Sequence, residues 1–396
     1  MIARRRVSVN GQEYESFLRS FADTAVDGEL IKVFERELAT FVGVKHAVTV
    51  SSGRQAMSQI LDGIDITAGD EVIIPAYTLG ALLHLVEANG AKVVLADIDE
   101  KTLTVTSKTI SERITEKTKA IIVLHIFGNP CPMKEIVDLA QEKGIALVED
   151  CAHSLGATLD SKQTGSMGRA GFLSFETTKP VNTFGGGAVV TNDDALAEII
   201  RKEAQKCEEL GHMAVYKKAK GVEREKWLFS TGLSYLPLFL LSLRPTRSFV
   251  EFAYRFVQPP PPKSIPYLPQ QAKLGLSGLS SLHERVAHRE KMARLYDELL
   301  HDEIRQQVVG PNCTSTWYFY VALLPKPAFP IRRKLLFKKV DCAVEKEIAD
   351  DCTLLRKGFD CPVTNKAYGR AIVLPMYDDI VEEEVVTVAK AVNEAL

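Results

Sequence analysis

The sequence predicts an α/β fold, with a large, mostly parallel sheet covered by helices and a smaller C-terminal α/β domain behind it. Three observations carry this. Short apolar runs alternate with helical stretches from His46 to Thr191. Most of those runs are apolar throughout rather than alternating, as strands buried on both faces are. The length of 396 residues is too great for one small core and suits two unequal domains.

The elements follow in order. From Gly28, GELIKVFERELATFVG spaces Leu30, Val33, Phe34, Leu38 and Phe41 along one helical face, and Gly43 ends it. HAVTV (46–50) reads as a strand and SSGRQAMSQILDGI as the helix after it. DEVIIP (70–75) leads into TLGALLHLVEANG; AKVVLADI (91–98), KAIIVLHIF (119–127) and IALVED (145–150) continue the series. GFLSF (171–175) and GGAVVT (186–191) close it, before a helix from about Asp193. Ligands of such a sheet belong at the carboxyl ends of its strands. Past residue 205 the character changes. KKAKGVEREK is charged, WLFSTGLSYLPLFLLSL (227–243) has no charge, and the next segment ends in PPPPK, an extended spacer. From Gln270 a helical pattern returns with Val286, Leu295, Leu299 and Leu300 among charges. STWYFYVALLP, RAIVLP and the closing EEEVVTVAKAVNEAL complete the smaller domain. The expected division is 1–213 for the large domain with an N-terminal arm, 214–263 for an inserted segment and 264–396 for the small domain.

Composition excludes some classes of function. A formal net charge of -2 gives no global basic field, so no nucleic-acid partner is expected. MIARRRVSVN is basic but lacks a following apolar core, so it does not read as a secretion signal. Seven cysteines, an odd number without CxxC spacing, argue against a disulfide framework and for a reduced, cytoplasmic setting.

Four polar features fall where strands end. Ser51, Ser52 and Gly53 open a helix, and backbone amides at a helix start can hold an anion, although Ser and Gly there also serve as ordinary caps. Asp150 ends an apolar strand and needs a partner or a cap. His153 stands three residues on, and a lone histidine is more often structural than functional. Ser174 ends GFLSF, Lys179 follows in a polar turn, and Gly185, Gly186 and Gly187 come next. A desolvated lysine can attack a carbonyl to form a Schiff base, and glycines let backbone pass close to a bulky ligand. Each feature alone has a bland explanation. Together they supply an anion cradle, a carboxylate for a ring nitrogen and an amine for an aldehyde, which is what pyridoxal phosphate requires; no metal is expected.

The chain also resembles the DegT/StrS-type aminotransferases, which are fold-type I pyridoxal-phosphate enzymes acting mostly on nucleotide-linked keto sugars. The matching stretches run in family order: FERELATFVGVKHAVTVSSG, AGDEVIIPAYT, GAKVVLADIDEKTL, TKAIIVLHIFGNPCPMKEI, ALVEDCAHSLGA and SFETTKPVNTFGGGAVVT, then QQAKLGLSGLSSLHERVAHREKMARLYDELL and AIVLPMYDDIVEEEVVTVAKAV. The resemblance implies that Lys179 is the catalytic lysine holding the cofactor. It implies that Asp150 meets the pyridine nitrogen, that Ser52, Gly53 and Ser174 hold phosphate, and that His153 stands near the ring hydroxyl, where the family usually has glutamine. Departures are equally plain. Arg54 replaces a usual threonine, and its cation can still serve a phosphate. Leu79 stands where an aromatic residue stacks on the ring, with Tyr77 close by in sequence. Gly185, preceded by Phe184, replaces a glutamate, and residues 214–263 replace a GYNYRM-type segment of the substrate site.

The implied activity is a homodimeric aminotransferase. It moves an amino group from glutamate or glutamine to a nucleotide-linked or lipid-linked keto sugar, in envelope polysaccharide, glycolipid or secondary-metabolite biosynthesis. Sugar dehydratases on this scaffold replace the lysine, usually with histidine, and a non-catalytic regulatory relative would not cycle with any amino donor. The uncharged run 227–243 lies between Lys217, Lys218, Lys220 and Lys226 on one side and Arg244, Arg247 and Arg255 on the other. It reads either as a peripheral contact of 227–256 with the inner membrane face or as a dimer contact or lid.

Overall fold

The computed structural model describes residues 1–7, 11–21, 28–206, 211–231, 235–241, 243 and 265–396. The N-terminal helices are α1 (Gly11–Arg19) and α2 (Glu29–Val42). α2 stops where Gly43 takes a left-handed conformation, φ 81°, and returns its N–H to Ala39 and Thr40 carbonyls. The central sheet is built from β1 (His46–Val50), β2 (Glu71–Pro75), β3 (Lys92–Ala96), β4 (Thr118–Leu124), β5 (Ala146–Asp150), β6 (Ala170–Ser174) and β7 (Gly187–Thr191). Their spatial order is β1-β7-β6-β5-β4-β2-β3. The pairs from β3 to β6 are parallel, while β7 runs antiparallel to both β6 and β1. Expectation and structure agree on every strand of the series. Two runs are shorter than their sequence patterns: AKVVLADI is strand only over Lys92–Ala96, and KAIIVLHIF is strand only to Leu124, where Ile126–Gly128 turn into a 3-10 element with Phe127 at φ 61°.

Both faces of the sheet are buried, which is why its strands are apolar throughout. On one face Val72, Ile74, Ile122, Val148, Phe172 and Val189 pack against Ala56, Met57 and Ile60 of α3 (Gly53–Gly63), and against Leu83, Val86, Leu196 and Ile200 of two further helices. On the other, Ile73, Val94, Ile121, Val123 and Leu147 meet Met133, Ile136 and Ala140 of helix Met133–Lys143. Adjacent residues on a strand serve opposite cores, as a period of two dictates.

The C-terminal part holds an antiparallel sheet in the order Arg305–Gln306, Tyr320–Leu323, Ala371–Leu374, Ala343–Val344. Helices Leu282–Leu299, Ala328–Phe337 and Glu382–Ala395 cover it through a core that includes Met292, Tyr296, Leu335 and Val388. The long helical pattern from Gln270 is two helices, Pro269–Ser280 and Leu282–Leu299, and the first packs on α2 through Gly275 and Phe34. The N-terminal residues run along the C-terminal sheet: Ile2 bridges Val340, and Arg4 pairs with Asp341 and Glu347. Of the inserted segment, the described parts form helices His212–Ser230 and Tyr235–Leu241, and no described helix is long and apolar enough to cross a membrane. Residues 244–264, including Arg244, Arg247 and Arg255, lie outside the described residues. The six described cysteines are free thiols.

Candidate active site

The carboxyl ends of β1, β5 and β6 converge on the residues expected to act. Ser52 caps α3, its Oγ accepting from the Gln55 N–H at 3.2 Å, and Ala56 N–H bonds to the Ser52 carbonyl. The Arg54 amide comes before Ala56, the first intrahelical donor, so the start of α3 can offer it to an anion. Glycine is required here by contact. A Cβ on Gly187 would lie 2.6 Å from Gly53 N, Leu173 O and Ser52 C, and one on Gly53 would lie 3.0 Å from the Ser174 Cβ. Two backbones and the Ser174 side chain therefore pack in direct contact at the helix start. Arg54 is exposed in the same first turn, with no recorded ion pair among the described residues.

The lysine loop is sealed from below. After β6, Phe175 takes N–H bonds from both Thr183 and Gly185 on its carbonyl and donates its own to Gly186 O. Gln271 Nε2 bonds the carbonyls of Thr183 and Gly185, each at 3.0 Å, and Tyr267 Oη donates to Thr183 Oγ1 at 3.2 Å. Lys179 N closes a turn on Glu176 O. Phe184 adopts φ 58° and buries its ring among Tyr14, Phe17, Val215, Val222 and Leu268, so α1 and helix His212–Ser230 brace the loop.

Lys179 Nζ sits over the Tyr318 ring, 4.8 Å from its centroid. Tyr318 Oη shares a hydrogen with Thr178 Oγ1 at 3.0 Å, and the ring stacks on His153 at 4.3 Å. Burial would push the Tyr318 phenol up, yet the Lys179 cation, the Thr178 hydroxyl and Arg5 outweigh it and hold it below its ordinary value. Tyr318 is held in turn by Arg289, whose Nη1 bonds the Trp317 and Tyr318 carbonyls. Asp378 bridges Arg289 to Arg285, and Arg285 Nη1 bonds the Pro180 carbonyl next to Lys179 at 2.6 Å. One carboxylate thus ties the lysine loop to the segment that carries Tyr318. Sequence reading missed this group, because Thr178 and Tyr318 are 140 residues apart.

His153 is buried, and both burial and the Lys179 cation hold it neutral. Its Nδ1 accepts from the Phe127 N–H at 3.3 Å, so the proton is on Nε2 and available to an acceptor. Asp150 is 3% exposed; its Oδ1 takes the Ala152 N–H at 2.9 Å. Burial pushes its carboxyl up to about 6, against the pull of that N–H, Lys179 and His125. A carboxylate in this condition gains from a cation beside it. Leu79 is 48% exposed at the start of helix Gly80–Ala88, whereas Tyr77 is wholly buried, edge-on to Phe127, and faces the core.

His125, Glu149 and Cys151 lie close enough together to suggest a metal site. The polar atoms of His125 and Glu149 are already committed. His125 Nδ1 accepts from Cys131 N–H and Nε2 donates to Glu149, which also takes the N–H groups of Gly165, Met167 and Gly168. This is a frame that fixes β5 beside Asp150.

A family model for the DegT/DnrJ/EryC1/StrS aminotransferases matches residues 11–224 and 269–393, leaving out a stretch within and just beyond the inserted segment. A GDP-perosamine synthase of Caulobacter vibrioides is 35% identical over 324 residues, 80% of this chain and 75% of that protein. A GDP-perosamine synthase of Vibrio cholerae is 37% identical over 171 residues, spanning 43% of this chain and 47% of its own. The solved structure of the aminotransferase TlmJ from Streptoalloteichus hindustanus superimposes with a TM-score of 0.79 at 24% identity, covering 100% of this chain and 98% of the other, which shows a shared fold. The chain belongs to the DegT/DnrJ/EryC1/StrS aminotransferase family and is a pyridoxal-phosphate-dependent transaminase.

Proposed function

We propose that this enzyme moves an amino group from glutamate or glutamine to a keto sugar, nucleotide-linked or lipid-linked, for envelope polysaccharide, glycolipid or secondary-metabolite assembly. The observation that carries the reading is the Lys179 amine over the Tyr318 ring, near enough for its charge to act on both Asp150 and His153. The residues fit the cofactor. Gly53 and Gly187 let the end of β6 pack directly on the start of α3, which sets Ser52, Ser174 and Arg54 side by side as donors to a phosphate at that helix start. Asp150 would hold the proton on the ring nitrogen, and His153 Nε2 would donate to the ring oxygen. Leu79 would cover the ring by dispersion alone.

When bound, pyridoxal phosphate supplies the electron sink that makes the Cα proton of an amine removable. Lys179 Nζ would hold the cofactor's aldehyde carbon between turnovers and carry a proton during them. Tyr318 Oη and Thr178 Oγ1 orient that amine, and Arg285, Asp378 and Arg289 keep the two in register. We also infer a homodimer, a division into 1–213, 214–263 and 264–396, and a cytoplasmic location with peripheral contact at the inner membrane face.

The test is the absorption spectrum of the purified protein before and after glutamate. A visible band that collapses into the near ultraviolet is the expected result. A band unmoved by glutamate or glutamine would remove these donors, and no band after soaking in pyridoxal phosphate would sink the cofactor site. Acceptor keto sugars are then screened with the donor-treated enzyme.

A further inference from the structure

Helix Ala328–Phe337 and the residues after it present two different sides. Ile331, Leu335 and Leu336 are buried in the C-terminal core. Arg333, Lys334, Phe337, Lys338 and Lys339 are exposed, and Phe337 keeps 64% of its surface in solvent. Positions 333, 334, 337 and 338 repeat at helical spacing, so cations flank an aromatic side chain on one face. Lys338 pairs with Glu394, and Lys334 donates to the Ala395 carbonyl while keeping its charge. In a chain of net charge -2, four exposed cations and the single carboxylate of Glu394 meet here, leaving the patch basic.

The apolar helix Tyr235–Leu241 lies against this face. Phe239 meets Phe337 edge-on at 5.7 Å, Tyr235 stacks on Phe239 at 6.2 Å, and Leu238 is buried. An apolar, aromatic centre rimmed by lysine and arginine is the composition of a surface that rests in a bilayer interface. Protein–protein interface cores are instead depleted in lysine. A second copy is disfavoured by charge, because a twofold contact would set Arg333, Lys334, Lys338 and Lys339 against themselves. No described helix can span a bilayer, so the contact is one of lying on the surface.

We propose that Phe337 and Phe239, rimmed by Arg333, Lys334, Lys338 and Lys339, form a docking surface for anionic phospholipid bilayers. The inference rests on the peripheral membrane contact proposed above, to which it gives a surface, and is independent of the reaction's donor and acceptor. Its geometry places the membrane contact on the C-terminal lobe, with the inserted helix as its apolar half.

The experiment is sedimentation of the holoenzyme with vesicles of phosphatidylglycerol and, separately, of phosphatidylcholine. Wild type is expected to bind the anionic vesicles selectively and to be released by high salt. The triple variant K334Q/K338Q/K339Q is expected to bind about a hundredfold more weakly, at roughly fivefold per charge. Phe337→Ser, which keeps every charge, should lose roughly tenfold through its buried apolar area. All four residues are exposed, so an unchanged cofactor spectrum verifies that the variants fold. Failure of wild type to prefer phosphatidylglycerol overturns the proposal, as does undiminished binding by the triple variant. A change in light-scattering mass for Phe337→Ser would make the patch a self-association face and equally overturn it.

Discussion

Asp150 and Lys179 show how far one side chain's condition depends on its neighbours. In the cofactor-free protein Asp150 titrates at about 6, above its ordinary 3.8, because burial disfavours the charged form. The native state therefore binds a proton between these values that the unfolded chain has lost, and its stability falls as pH rises through that window. Asp150→Asn removes the penalty. Urea midpoints of cofactor-free wild type and variant should nearly coincide near pH 4 and separate above pH 6, the variant being more stable by at most about 3 kcal/mol. A constant gap across that range would show that Asp150 is not the titrating group. Tyr318→Phe keeps the ring under Lys179 but removes the hydroxyl at Thr178. A fall in kcat of about five- to tenfold is expected, with KM for glutamate nearly unchanged, since one orienting hydrogen bond is lost. Ultraviolet titration of the cofactor-free protein gives a second readout: the phenol that ionises earliest should vanish in Tyr318→Phe and move to higher pH in Lys179→Ala.

At the scale of elements, the loop between β6 and β7 and the start of α3 are a single construction. Gly187→Ala would drive a Cβ to 2.6 Å from three backbone atoms that have no flexible end to yield. A loss of about 2 kcal/mol or more is expected in thermal denaturation of the cofactor-free protein. At Gly53 the contact is 3.0 Å to a side-chain Cβ, so Gly53→Ala should cost less stability. It presses on Ser174, a candidate phosphate donor, however, and pyridoxal-phosphate affinity, measured by titration, should fall by about tenfold, the weight of one charge-assisted hydrogen bond. Equal stability losses for the two variants would contradict this geometry.

For the whole molecule, the basic N-terminal arm acts as a tie between the chain's two ends. Arg4 reaches Asp341 and Glu347, Glu347 also pairs with fully buried Arg332, and Arg6 pairs with Glu384 and Asp379 while lying 4.3 Å from the Tyr377 centroid. Arg4→Ala leaves Asp341, 1% exposed on its side chain, without its cation and should cost about 3 kcal/mol in urea unfolding. The proposed homodimer predicts a light-scattering mass twice the 43.8 kDa of one chain at micromolar concentration. A monomer that still transaminates would refute it.

By itself the sequence determined whatever is encoded locally. Continuous apolar runs announced strands buried on both faces, Gly43 announced the end of a helix, and Ser52, Asp150 and Ser174 were each legible as the polar residue at or just past the end of an apolar run. Periodicity is a short-range signal, and each of these features is set by residues only a few positions apart. Only the tertiary structure decided that Tyr318 lies under Lys179, that Gln271 seals the loop from 86 and 88 residues away, and that Asp378 joins Arg285 to Arg289. It decided, too, that Tyr77 faces the core while Leu79 stands half exposed. Such contacts form when separately patterned elements dock. Which side chains then meet depends on how the two cores pack, and no local spacing in the chain records that.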